Sequence, residues 1–219
     1  MLDIHVVFLG GLIGLFGSAL YARDTWRGTT QPNRVTWILW TLAPTLALIA
    51  EIRAHVGWQW VMTFVIAFGP LLVLVASFTN GRSVWKIGPF DYLCGAASIF
   101  GLVIWAITSN DTVALLAFMA ADGLASLPTI VKAYKAPETE TLATFVASLF
   151  SSLLTLATVT TATATTAEVA FPIQITVVNL VFIVLIGGRI GPRIRRQAVV
   201  EPRSPHERVL GPAGRSGGT

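Results

Sequence analysis

The sequence predicts an all-α polytopic membrane protein of seven transmembrane helices, arranged as two parallel three-helix repeats joined by a linking helix. Three observations predict it. Of 219 residues, 54% are hydrophobic and only 12% charged, about half the usual quarter, and the mean hydropathy is +0.71. Seven stretches are apolar over about 20 residues, the length that crosses about 30 Å of hydrocarbon. The basic residues fall almost wholly on one side of those stretches. Such a composition excludes a soluble enzyme, a disordered chain and a nucleic-acid-binding domain. The single cysteine, Cys94, excludes an internal disulfide.

The first span covers 4–22. No basic segment precedes it, so it reads as a retained helix rather than a signal peptide. Its glycines Gly10, Gly11, Gly14 and Gly17 mark a close-packing face. The second span, 35–53, carries Trp37 and Trp40 one turn apart near one end and Pro44 at its centre. The third, 57–80, holds Pro70, with Trp58 and Trp60 at its start and Trp85 just past its end as interfacial anchors. The fourth, 91–109, is the odd helix out. The fifth, 111–134, contains Asp122 and Pro128; the sixth, 141–165, contains Ser151 and Ser152; the seventh, 168–188, contains Gln174 and Asn179.

The positive-inside rule tests this count. With seven spans, one side holds Arg23, Arg27, Arg34, Arg82, Lys86, Lys132, Lys135 and the seven arginines from Arg189 onward, while the other holds only Arg53. One missed or invented helix scrambles that ratio. The N-terminus is therefore expected outside and the tail in the cytoplasm. Residues 189–219 are rich in Gly, Pro, Arg and Ser without an apolar period, and read as a basic, disordered tail beside the membrane. The lipid bilayer is a partner by construction. With twelve Arg against three Lys and no organelle signal, a bacterial plasma membrane is expected.

An internal repeat supports the three-one-three plan. At an offset of 108, Ser18 falls on Ser126, Trp26 on Tyr134, Arg27 on Lys135, Thr36 on Thr144 and Trp37 on Phe145. The units are then 1–83, the linking segment 84–110, 111–188 and the tail 189–219. An odd linking helix lets both repeats start on the same side.

The stretch Pro128-Thr129-Ile130-Val131-Lys132-Ala133-Tyr134-Lys135, followed by Pro137-Glu138-Thr139-Glu140, resembles the PQ-loop signature. The run from Trp26 to Trp37 echoes it in the first half. Thr129 stands where that signature has Gln, and Leu20 where its first-half proline would fall. With the helix plan, the chain resembles the SWEET and PQ-loop group of small-solute carriers. The resemblance implies a carrier for sugars, amino acids, vitamins or nucleosides, a homo-oligomer, and a substrate-binding Asn on the last helix of a repeat, here Asn179.

Depth arithmetic places polar residues in one layer. At 1.5 Å per residue, about 11 residues reach the bilayer centre. Counted this way, Asp122, Asn179, Ser151, Ser152, Pro44 and Pro70 fall near mid-membrane on five helices. Asp122 stands out, because a carboxylate there costs roughly 2.5–3.5 kcal/mol. It reads as a substrate contact or proton-coupling site, or as a structural hydrogen-bond acceptor. Asn179 offers donors and an acceptor to a ligand or to a neighbouring helix. Trp37 and Trp40 suit a stacking surface or an inner gate, or a membrane belt. Gln174 is placed toward an outer vestibule. Pro44, Pro70 and Pro128 are hinge candidates.

Several functions are excluded. Retinal needs a lysine in the helix core, and Lys86, Lys132 and Lys135 lie at or beyond helix ends. His5, His55 and His206 are scattered, so no metal set forms. No cofactor, nucleophile-base pair or phosphate-binding loop is evident, and no enzyme is expected. A secondary transporter or facilitator of a small polar solute remains. A non-transporting receptor, scaffold or accessory subunit is the alternative.

Overall fold

A computed structural model describes residues 4–53, 55, 59–81, 83, 85–158 and 166–200. Among them are eight α-helices, one 3-10 turn and no strand. The helices are α1 (Ile4–Arg27), α2 (Arg34–Arg53), α3 (Gln59–Thr79), α4 (Pro89–Ile107), α5 (Asp111–Lys135), α6 (Leu142–Thr158), α7 (Thr166–Gly188) and α8 (Ile190–Val200). Four segments are long and apolar enough to cross a membrane: α2, α4, α5 and the Val169–Gly188 part of α7. Shorter apolar runs, Thr63–Thr79 and Leu142–Thr158, lie in α3 and α6. Trp58, Arg82, residues 159–165 of the sixth span and the tail from 201 to 219 lie outside the described residues.

Helix ends follow local chemistry. Gly28 adopts a left-handed backbone, φ 81°, just beyond α1, where a side chain would be strained. Asn33 caps α2, its Oδ1 accepting from Val35 N at 3.1 Å. Its Nδ2 also donates to Asp91 Oδ1 at 2.8 Å, tying the start of α2 to the start of α4. Asn33→Ala removes both contacts inside a buried site. It is expected to cost about 1–2 kcal/mol, read as a lower unfolding midpoint of the purified protein. An unchanged midpoint would show that the cap contributes nothing. Asn110 caps α5 by accepting from Val113 N at 3.0 Å.

Packing order is simple. α3 touches both α1 and α2; α7 touches both α5 and α6. Between these sets α1 packs on α6, and α2 on α5. α4 lies on α5 and brushes α2. Two hydrogen bonds cross between the sets: Thr36 Oγ1 donates to Ala125 O at 2.7 Å, and Thr144 Oγ1 donates to Gly17 O at 2.7 Å. Thr144 is Thr36 displaced by 108 positions, and Ala125 is Gly17 displaced by 108. The α1 glycines sit on α6: a side chain at Gly10 or Gly14 would meet Ser151, and one at Gly17 would meet Ala147 and Thr144.

Burial is inverted relative to a water-soluble protein. Thr25, Asn33, Thr36, Ser77, Ser83, Thr129 and Lys132 are fully enclosed, while Leu12, Phe16, Phe100 and Val184 face outward. An exterior of this kind suits hydrocarbon, and helix contacts then rest on small residues and hydrogen bonds.

Residues 189–200, the described part of the tail, depart from its expected disorder. Arg189 takes a left-handed backbone, φ 47°, and α8 follows at once. Arg195 donates from Nη2 to Lys135 O at 2.6 Å. Gly191 lies against the carbonyl of Tyr134. This docking onto the end of α5 is tertiary, and composition alone does not carry it. Trp85, expected as an interfacial anchor, has the Lys132 ammonium over its ring, 5.5 Å from the centroid.

Candidate functional site

One cavity of about 350 Å³ lies between α1, α2, α3, α5, α6 and α7. Asp122, Asn179, Trp37, Trp40, Ser151, Ser152, Pro44 and Pro70 all line it. Depth arithmetic placed six of these residues in one layer and the two tryptophans nearer a helix end; the helix rotations bring all eight to one space. Pro128 is not on the wall: it is buried within α5, one and a half turns past Asp122 toward the Lys132 end. Gln174, expected toward an outer vestibule, is not among the residues lining the cavity. It lies behind the wall, where Nε2 donates to Met119 O at 2.9 Å and to Asp122 Oδ2 at 3.1 Å. A long amide beside a buried carboxylate finds a better partner there than in an open mouth.

The floor is aromatic. Tyr21 and Trp37 have ring centroids 4.8 Å apart, and Trp37 and Trp40 meet edge-on at 5.3 Å. Trp40 meets Phe182 edge-on at 6.2 Å, and Phe182 stacks on Phe145 at 4.2 Å. These rings, with Val73, Ala133 and Ile186, form the packed core beneath the cavity. A second pair, Phe118 and Phe171, stands 5.0 Å apart on the wall.

The polar lining is partly engaged, with the buried Trp37 Nε1 left without a partner. Asn179 Nδ2 donates to Ser148 Oγ at 3.0 Å and to Ile175 O at 2.8 Å. Ser152 Oγ shares a 2.9 Å bond with Thr176 Oγ1 and reaches Leu149 O. Thr155 donates to Ser151 O at 3.0 Å. Among the described lining residues Asp122 is the one ionisable group.

Below the floor the sets are joined by a buried charge cluster. Glu140 accepts from Tyr21 OH at 2.6 Å and from Lys132 Nζ at 2.7 Å. Both side chains of that ion pair are fully enclosed. Thr141 Oγ1 donates to Asp24 Oδ2 at 2.9 Å, and Gln31 N donates to Thr139 O at 3.1 Å.

Sequence reasoning missed Ser18, Thr144, Ser148, Thr155, Pro172 and Phe182 as lining residues. A signal was present. Thr144, Ser148, Ser151 or Ser152, and Thr155 recur at three or four residues, one face of α6. Pro172, Ile175, Asn179 and Phe182 do the same on α7. Comparison of the chain with protein-family models, curated proteins and solved structures returns no match.

Proposed function

We propose that the chain is a membrane carrier, a secondary transporter or facilitator of a small polar solute, working by alternating access around Asp122 and Asn179. The observation that carries this reading is the cavity itself. It gathers six helices, excludes α4, and receives a carboxylate from α5 and an amide from α7. Its volume lies at the small end of the range for ligand pockets, about 300–1,000 Å³.

The carrier is a seven-span, three-one-three protein in which α1–α3 and α5–α7 are parallel repeats and α4 links them. Two features support this. The contact order within each set is the same, and the Thr36–Ala125 and Thr144–Gly17 bonds are exchanged by one offset. Such repeats rock against each other about a central site. Pro44, Pro70 and Pro128, joined by Pro172, interrupt the backbone ladders of α2, α3, α5 and α7, and serve as hinges. The reading keeps the likeness to the SWEET and PQ-loop carriers. It places the protein in a bacterial plasma membrane, N-terminus outside and tail inside, as a homo-oligomer.

Thiol labelling tests it without knowing the solute. Cys94, the only cysteine, is replaced by Ser and Ser151 by Cys. A membrane-impermeant maleimide added to right-side-out and then to inverted vesicles should label Cys at that position from both sides. Labelling confined to one side in every condition rejects alternating access and favours a static membrane module.

A further inference from the structure

The cavity's lining mixes engaged donors with free ones: Trp37 Nε1 has no partner, and the Ser18 and Ser151 hydroxyls also line it. Both hydrogens of the Asn179 amide have partners, in Ser148 and in the Ile175 carbonyl. The hydroxyls of Thr144 and Thr155 donate to backbone carbonyls, and that of Ser152 is shared between Thr176 and Leu149. The one charge that faces an incoming ligand is the Asp122 carboxylate, and the Asn179 carbonyl oxygen is a further acceptor. A carboxylate has about four lone-pair sites. The side chain that hydrogen-bonds Asp122 is Gln174, a neutral amide.

No cation balances that carboxylate within the cavity. Among the described lining residues there is no Lys, Arg or His. Lys132, the nearest lysine along α5, is held below the floor by Glu140 and the Thr139 carbonyl. The remaining wall is ring surface. Trp40 lines the cavity together with Asp122 and neighbours Trp37 and Phe182, so aromatic faces and carboxylate share one space. Gln174, bonded also to the Met119 carbonyl, holds the carboxylate in place from behind.

We propose that this site takes a small organic cation: a protonated or quaternary amine with an apolar or flat body and no carboxylate of its own. The inference rests on the carrier reading above and adds the ligand class. An ammonium group brings charge and donors and needs no donor in return. Ring faces attract it electrostatically, most strongly when water is excluded. An anion or a zwitterion would bury a second carboxylate with no cation to meet it. A polyol would bring no charge to balance the carboxylate.

The test is equilibrium binding to the purified full-length protein in detergent, read by thermal stability and by titration calorimetry. The probes are 2-phenylethylammonium, its neutral counterpart 2-phenylethanol, the zwitterion L-phenylalanine and the polyol glucose. The protein is wild type, Asp122→Asn, Asp122→Glu and Trp40→Leu, each checked for an unchanged elution profile and helix content. The cation should stabilise the wild type and the other three probes should not. Asp122→Asn should weaken cation binding by about thirtyfold or more, with Asp122→Glu retaining part of it. Trp40→Leu should weaken the cation by about three- to thirtyfold without creating affinity for the alcohol; this variant carries the test if Asp122→Asn does not fold. If the alcohol, zwitterion or polyol binds and the cation does not, the ligand class is wrong while the binding cavity stands. If the cation binds but Asp122→Asn and Trp40→Leu leave its affinity unchanged, its site lies elsewhere and the proposal fails. If none of the four probes binds folded wild type, both the ligand class and the cavity's assignment as a solute site are overturned.

Discussion

Lys132→Met is expected to destabilise the protein by about 3–5 kcal/mol. The ammonium and the Glu140 carboxylate are 2.7 Å apart and both fully enclosed. Removing the cation leaves a buried carboxylate whose remaining side-chain donor is Tyr21. The charge then has to be neutralised or solvated by opening the structure. The complementary result separates charge from shape. The pair Lys132→Met with Glu140→Leu removes both ions and should recover most of the loss, because well-packed apolar groups replace buried ion pairs at little cost. Unfolding midpoints of the two variants against wild type decide it. A single variant as stable as wild type would mean that the ion pair is not formed.

Gly17→Val should be the next most damaging. A side chain at Gly17 would place its first carbon 2.6 Å from the Ala147 Cβ and 3.2 Å from the Thr144 carbonyl oxygen. α1 would have to move away from α6, and the Thr144–Gly17 hydrogen bond would stretch with it. Overpacking of this kind costs about 1–3 kcal/mol, and the lost bond about 0.5–1.5 kcal/mol more. In lipid there is little hydrophobic gain to offset it, since close backbone approach is itself the source of helix association. The control is Gly17→Ala with and without Ala147→Gly. Taking away the carbon that collides should rescue the alanine variant; equal stability with and without that rescue would show that the helices are not in contact there.

Helix positions were legible because hydrocarbon imposes a length. The spans expected at 35–53, 91–109 and 111–134 match α2, α4 and α5 to within two residues at each end. α1 runs five residues beyond its expected end at 22, through Arg23, Asp24 and Arg27. Hydropathy marks where a helix leaves the apolar layer; the helix itself stops at Gly28. The site was half legible. Counting residues placed Asp122 and Asn179 at one depth, but depth contains no rotation. That both reach one cavity follows from how α5 and α7 pack. The Lys132–Glu140 pair was not legible at all: two opposite charges flanking a proline turn look like a solvated connection, and only enclosure by Tyr21 and Trp85 gives them another character. α8 was missed because its apolar residues, Ile190, Ile194, Ala198, Val199 and Val200, are interrupted by Gly191, Pro192 and three arginines.

The Tyr21 end of the bundle carries a consequence for populations. Six hydrogen bonds there cross between the two helix sets: Tyr21–Glu140, Asp24–Thr141, Gln31–Thr139, Thr36–Ala125, Thr36–Thr129 and Gly17–Thr144. At the far end, the Glu51–Thr63 contact joins two helices of the same set. For the proposed carrier, opening at the Tyr21 end exchanges all six bonds for water. At about 0.5–1.5 kcal/mol net each, the gap is roughly 3–9 kcal/mol. A gap at the lower figure already leaves the opposite state below about 1% occupancy. A solute that held both states equally would shift nothing, however tightly it bound. Turnover in such a molecule is governed by how often these six bonds open together, from Thr144 on the cavity wall to Glu140 below its floor.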